Sequence, residues 1–198
     1  MLMTGGFLIA GILFNMYYQY SYEKDYLSEF SGQGEALDKL ETGTDLAVLK
    51  TGDKSVYRYD QMGTHSYENS SMQTGTNSTS YYFSVASGDI TNFFNEVDLN
   101  TPWDYHYENL DSRTILDRLA AVKYFVVKAG EEEYLPYGYD TLAAEAEKKD
   151  RLYRAYECKN ALPIGYTYDS YIPEKKYAKM STVEKQQALL QGVVLADS

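Results

Sequence analysis

The sequence predicts an α+β fold in which helices pack on a mixed sheet of about five or six strands, preceded by an N-terminal membrane helix. Three observations predict it: residues 1–22 carry no charge, short β-forming runs recur through the rest of the chain, and amphipathic helical segments lie between those runs. The length of 198 residues limits the chain to one domain, or to one domain with an appendage.

Residues 1–22 have the features of a membrane span. About 18–20 apolar residues are needed to cross roughly 30 Å of hydrocarbon. Four tyrosines at positions 17, 18, 20 and 22 follow the apolar run, as in the aromatic belt of a membrane interface. A cleaved signal peptide is an alternative, but it should begin with Lys or Arg and end in small residues. A buried core helix is the other alternative.

The charges after this segment indicate its orientation. Residues 23–53 contain eight acidic and three basic side chains, whereas cytoplasmic flanks favour Lys and Arg. We therefore predict a transmembrane helix over residues 1–22 and an extracytoplasmic α+β domain over residues 23–198. Because the chain stops directly after a strand-like run, we expect the domain to be truncated at its C-terminus.

Four regions have helical patterns. Helical pieces are expected within residues 26–42, interrupted by glycines and ended by Thr42-Gly43. Residues 87–97 place apolar side chains at i, i+3, i+4 and i+7, and residues 110–122 form a second amphipathic segment. Ser181 and Glu184 make a capping-box pattern that begins a helix through residue 191.

Six runs are predicted as strands: residues 56–59, 80–85, 123–128, 152–158, 165–172 and 193–195. The run at 123–128 is continuously apolar between two lysines, which indicates a strand buried on both faces. The charged stretch 130–150 is interpreted as an exposed connection.

Composition excludes several functions. The chain has 18 basic and 29 acidic residues, a net charge of -11, so nucleic acid is not an expected partner. One cysteine and two histidines, His65 and His106, do not supply an internal disulfide or a Cys- or His-based metal site. Nucleotide-binding, nucleophile-elbow and zinc-protease motifs are also missing, so we expect no cofactor and no metal.

Three segments together carry a family resemblance: LAAVKYFVV at residues 119–127, YRAYECKNALPIGY at 153–166 and STVEKQQALLQGVVL at 181–195. A fourth, weaker segment is STSYYFS at residues 78–84. In order and spacing they resemble the YfhO family of bacterial polytopic membrane proteins, which look like GT-C-like, membrane-embedded glycosyltransferases that use lipid-linked sugars.

The resemblance implies a function in the cell envelope. The family's catalytic carboxylate is expected on the membrane bundle, so none of these 198 residues is assigned a catalytic role, and the chain alone should be inactive. The implied role is a non-catalytic extracytoplasmic domain that shapes or docks the acceptor in lipoteichoic-acid-type glycosylation. Its implied partners are the membrane and an envelope glycopolymer or lipid-linked sugar. The alternative is an extracellular adhesion module anchored by a single span.

One aromatic cluster is the candidate sugar contact. Sugar rings stack on aromatic faces while polar groups bind their edges. The alternative is a proline-anchored loop whose Trp103 fills the core. The candidate residues are Trp103, Asp104, Tyr105 and Tyr107, which Tyr81, Tyr82, Tyr137 and Tyr139 could extend.

Overall fold

The computed structural model describes residues 2–20, 33, 35–36, 40–62, 69–99 and 105–196. The chain divides into two units, residues 1–39 and residues 40–198. The helical pieces predicted within residues 26–42 lie almost entirely outside the described residues.

The first unit contains the predicted N-terminal helix, α1 (Leu2–Tyr20). Side chains from residue 3 to residue 18 are exposed, including Phe7 at 78% and Phe14 at 70%, which is unlike a buried core helix. In the part of the chain that the structure describes, no helix combines the length and the apolar character needed to cross a membrane. The membrane span over residues 1–22 is therefore not confirmed.

The second unit is an α+β assembly around a mixed sheet, as predicted. The sheet has four strands in the order β1–β4–β6–β5: β1 pairs in parallel with β4, and the other pairs are antiparallel. Two short pairs, β2–β3 and β7–β8, lie outside it. The strands are β1 (Arg58–Gln61), β2 (Tyr81–Tyr82), β3 (His106–Tyr107), β4 (Val122–Lys128), β5 (Thr141–Lys148), β6 (Arg151–Glu157), β7 (Tyr171–Pro173) and β8 (Val193–Leu195).

Strand β4 is buried on both faces because it separates two apolar clusters. Successive side chains of a strand point to opposite faces. Phe125 and Val127 accordingly pack into one cluster, and Tyr124 and Val126 into the other. The described helices of this unit are α2 (Gly43–Leu49), α3 (Ser70–Thr74), α4 (Gly88–Glu96), α5 (Thr114–Leu119), α6 (Glu174–Tyr177) and α7 (Thr182–Leu189).

Helices cover the two faces of the sheet. Helix α2 packs on β4, β5 and β6 and contributes Ala47 and Val48 to one cluster. Helices α4 and α5 supply Phe94 and Leu116 to the other, and α5 also contacts α7. The capping box predicted for the last helix is present, since Ser181 and Glu184 exchange hydrogen bonds with each other's backbone amides.

Three predictions about elements are wrong. Thr42 does not end a helix; it caps the start of α2 and forms a capping box with Asp45. The connection predicted at 130–150 contains β5, which pairs with β6 at the edge of the sheet formed by the described strands. The strand predicted over 165–172 is reduced to β7, which pairs with β8 outside the main sheet, and the main sheet has four strands among the described residues rather than five or six.

Candidate functional site

The predicted sugar-contact residues do not form one surface among the described residues. Trp103 and Asp104 lie outside those residues. Tyr105 is 40% exposed, and its ring meets Tyr82 edge-on with centroids 5.6 Å apart. Tyr107 is only 1% exposed and belongs to the core.

Tyr107 is held on two sides by other rings. It stacks on Tyr81 at 4.7 Å and meets Phe94 edge-on at 4.9 Å, so it presents no face to a ligand. Of the other tyrosines, Tyr139 is buried and donates its hydroxyl to the carbonyl of Val122, 2.8 Å away. Tyr137, at 86% exposure, stands on the surface.

The two histidines do not form a metal centre together. His65 lies outside the described residues, and His106 is buried with Nε2 4.0 Å from Oε1 of Glu108. Within the described ranges, no three His, Cys, Asp or Glu side chains gather as metal ligands would.

A cleft of about 280 Å³ opens where β4 begins and β6 ends. The antiparallel pairing of β4 with β6 places Tyr124 opposite Glu157, and the amide of Cys158 donates to the carbonyl of Lys123. This register brings Lys123 and Glu157 to the same edge of the sheet. The other side of the cleft comes from the segment before β1 and the loop after β6, through Val56, Tyr57, Leu162 and Pro163.

A cluster of four polar side chains lies at this edge. The Lys123 ammonium is 2.5 Å from Oδ2 of Asp53 and 3.6 Å from Oε1 of Glu157. Asp53 also accepts the Tyr124 hydroxyl at 3.0 Å. The bond from Lys123 holds the pKa of Asp53 well below its usual range, and the same bond raises the pKa of Lys123. Both groups are therefore charged across the physiological range.

The ring of Tyr57 is fixed beside this cluster. It meets Tyr124 edge-on with centroids 4.9 Å apart, and Lys123 Nζ lies 6.0 Å from its centroid. Desolvation raises the pKa of Tyr57, so the hydroxyl stays protonated. The cleft thus combines a fixed aromatic ring, a carboxylate and an ammonium group.

A second cavity, of about 270 Å³, is almost entirely apolar. Phe93, Leu119 and Leu189 are among its lining residues. Tyr166 and Tyr168 also line it, and their hydroxyls donate to the backbone carbonyls of Leu119 and Leu189.

Asp60 and Asp117 form a fully buried carboxyl pair between β1 and α5. Asp60 accepts from the amide of Gln61 at 2.7 Å, the Thr79 hydroxyl at 2.8 Å and the amide of Leu110 at 3.1 Å. Neither oxygen of Asp117 has a donor among the described residues. Desolvation raises the pKa of both, and the neighbouring Asp60 raises that of Asp117 further. Asp117 is therefore the partner that stays protonated.

Comparison with known proteins identifies the family. A family model described as "Bacterial membrane protein YfhO" matches residues 2–198. The chain belongs to the YfhO family. The match includes α1 and every element of the second unit, so the family resemblance predicted from the sequence is confirmed, and with it an association with a bacterial membrane protein family.

A YfhO relative shows how much of a family member this chain represents. This chain is 27% identical over 206 residues to the Bacillus subtilis (strain 168) protein described as "Uncharacterized protein YfhO", and the match covers 97% of this chain. The chain spans about a quarter of that relative, 23% of its length. No solved structure matches.

The cleft could not be predicted from the sequence because its residues come from separate segments of the chain. Lys123 belongs to one segment, and Glu157, Leu162 and Pro163 belong to another. The antiparallel register that joins them is a tertiary feature, and Tyr57 comes from outside both segments. The sequence offered one signal for the cleft, the charged residue Lys123 at the start of the buried strand. In the structure Lys123 pairs with Asp53.

Proposed function

We propose that this chain is a non-catalytic extracytoplasmic domain of a polytopic, glycosyltransferase-like membrane protein, and that it shapes or docks the acceptor in lipoteichoic-acid-type glycosylation. Membership of a bacterial membrane protein family supports the membrane setting. The observation that carries the role is the cleft at Tyr57, Lys123 and Glu157, where two family segments meet around polar and aromatic groups suited to carbohydrate.

In this proposal α1 inserts in the membrane beside other helices of the full-length protein. Its uncharged sequence and its exposed apolar side chains favour burial in lipid or against other spans. Close helix packing in membranes uses small residues, and α1 contains Gly5, Gly6, Ala10 and Gly11. The acidic segment after it favours placement of residues 23–198 outside the cell.

The proposal is tested in a bacterium that carries the full-length protein. Loss of the gene should remove a sugar from an envelope polymer, as measured by mass spectrometry of the purified polymer. Restoring the full-length gene should return the sugar, whereas the 198-residue chain alone should not. Unchanged polymer glycosylation after gene loss would contradict the proposal, and a change in surface adhesion alone would favour the single-span adhesion module.

A further inference from the structure

We propose that the cleft at Tyr57, Lys123 and Glu157 is a binding site for one uncharged sugar ring. This inference rests on the proposed function and gives it a site and a ligand class. The volume of the cleft, about 280 Å³, is near the lower end of the range for small-molecule pockets. The cleft can therefore hold a single small ligand but not a long polymer segment.

The charges at the cleft balance. Lys123 and Lys159 contribute two positive charges, and Asp53 and Glu157 contribute two negative ones. A phosphate or carboxylate ligand therefore gains no net attraction here, and the chain as a whole carries -11. A neutral ligand avoids that repulsion and still finds charged groups for hydrogen bonding.

The polar groups suit hydroxyl groups in particular. A sugar hydroxyl both donates and accepts, so it can bond to a carboxylate and an ammonium at the same time. Glu157 and Lys123, 3.6 Å apart, offer that pair, and their side chains are 29% and 30% exposed. Hydrogen bonds to ionised groups are the stronger kind.

The apolar groups suit the CH face of the same ring. Tyr57 supplies an aromatic face, and Leu162 and Pro163 line the cleft with it. Tyr57 is already held by its edge-on contact with Tyr124, so binding costs little side-chain entropy. The cleft thus offers an aromatic surface for the CH groups of a pyranose and a carboxylate–ammonium pair for its hydroxyls.

Binding is tested on the 198-residue chain in an amine-oxide detergent, whose head group carries no sugar. Methyl glucopyranoside, methyl galactopyranoside and N-acetylglucosamine are titrated at millimolar concentrations, with glucuronate and glycerol phosphate as anionic probes. We expect at least one neutral sugar to shift the amide NMR signals of residues lining the cleft, and to bind more tightly than the anions.

Variants locate the site. Tyr57→Leu should weaken binding at least tenfold, whereas Tyr57→Phe, which keeps the ring, should stay within about threefold. Tyr171→Leu is the matched control at a 65% exposed tyrosine outside the cleft and should bind as the parent does. If Tyr57→Leu fails to fold, as judged from its amide spectrum, Glu157→Gln serves as the second variant and should also weaken binding.

Three results would overturn the inference: no neutral sugar shifts the cleft signals, an anionic probe binds best, or binding survives both Tyr57→Leu and Glu157→Gln. These failures concern the cleft alone, because the polymer glycosylation assay does not depend on where a sugar binds. Sugar binding without any change in polymer glycosylation would instead contradict the proposed function and leave the site in place.

Discussion

Replacing Asp117 with asparagine should make the protein more stable than the parent at pH 8 and leave it close to the parent near pH 4. The side chain is 0% exposed, and burial beside Asp60 raises the pKa of its carboxyl, which therefore stays protonated. The amide of Asp117→Asn has nearly the same shape and is neutral like the protonated carboxyl, but it has no proton to lose as the pH rises.

The direction of this pH dependence follows from the linkage between proton binding and folding. Burial and Asp60 raise the pKa of Asp117 in the folded protein above its unfolded value of about 3.9. Between the unfolded and the folded pKa of Asp117, the folded state holds more protons than the unfolded state. The stability of the protein is therefore fully present below the unfolded pKa and falls as the pH rises towards the folded pKa. Each retained proton lowers the free energy of unfolding by about 1.4 kcal/mol per pH unit. The variant lacks this slope.

The matched control is Asp60→Asn. Asp60 accepts three donors on two oxygens, and an amide has only one oxygen, so its NH2 must face a donor. We expect a loss of about 1–3 kcal/mol for that unsatisfied contact. Urea unfolding from pH 4 to pH 9 measures both variants. Parallel stability curves for Asp117→Asn and the parent would contradict the proton assignment.

Asp45→Ala should be among the most destabilising single changes in this protein. Asp45 is fully buried, and its carboxylate accepts from the amide and hydroxyl of Thr42, from the Tyr59 hydroxyl and from the Thr76 hydroxyl. Losing the cap of α2 and the bonds to a charged group should cost about 4 kcal/mol in unfolding free energy. Tyr59 is 1% exposed, so its hydroxyl would be left buried without this acceptor.

A double-mutant cycle separates these contributions. Tyr59→Phe removes the stranded hydroxyl, so the double variant with Asp45→Ala should cost about 1–2 kcal/mol less than the sum of the single changes. Asp169→Ala, an exposed acid on a loop, is the control and should stay within about 0.5 kcal/mol of the parent. Strict additivity, or a loss under about 1 kcal/mol for Asp45→Ala, would contradict the buried network.

Local patterns in the sequence were enough to predict the centre of the fold. Residues 123–128 read as a doubly buried strand because apolar side chains occupy both of its faces, and β4 indeed separates two cores. The stripe at 90–97 and the box at Ser181 and Glu184 predicted α4 and α7, because helix spacing and capping are determined by nearby residues.

Features that depend on partners could not be predicted in this way. Strand β5 has the sequence TLAAEAEK, whose alanines and glutamates favour a helix, and pairing with β6 overrides that preference. Thr42 and Asp45 are three residues apart, a spacing that indicates a cap, but Gly43 suggested a helix end instead. Asp60 and Asp117 are 57 positions apart, so their pairing follows from the tertiary fold alone.

The candidate site also depends on tertiary contacts that the local sequence does not reveal. The local sequence predicts an aromatic sugar contact at Trp103, Asp104, Tyr105 and Tyr107, of which Tyr107 lies in the core. The cleft is assembled from three separate chain segments. Sugar contact at Trp103 stays a prediction, and Trp103→Ala in the titration described above tests it alongside Tyr57→Leu.

We expect residues 40–198 to stand on the outer face of a bacterial membrane. Cys158 is the only cysteine in these 198 residues and is 2% exposed, so this part of the protein gives little background for thiol labelling, and the full-length protein without an added cysteine measures the background of the remainder. The measurement uses Tyr137→Cys, at an 86% exposed position, in the full-length protein on intact cells with a membrane-impermeant maleimide. We expect the added cysteine to be labelled without permeabilisation of the cells. Labelling that requires permeabilised cells would place the domain inside and contradict it.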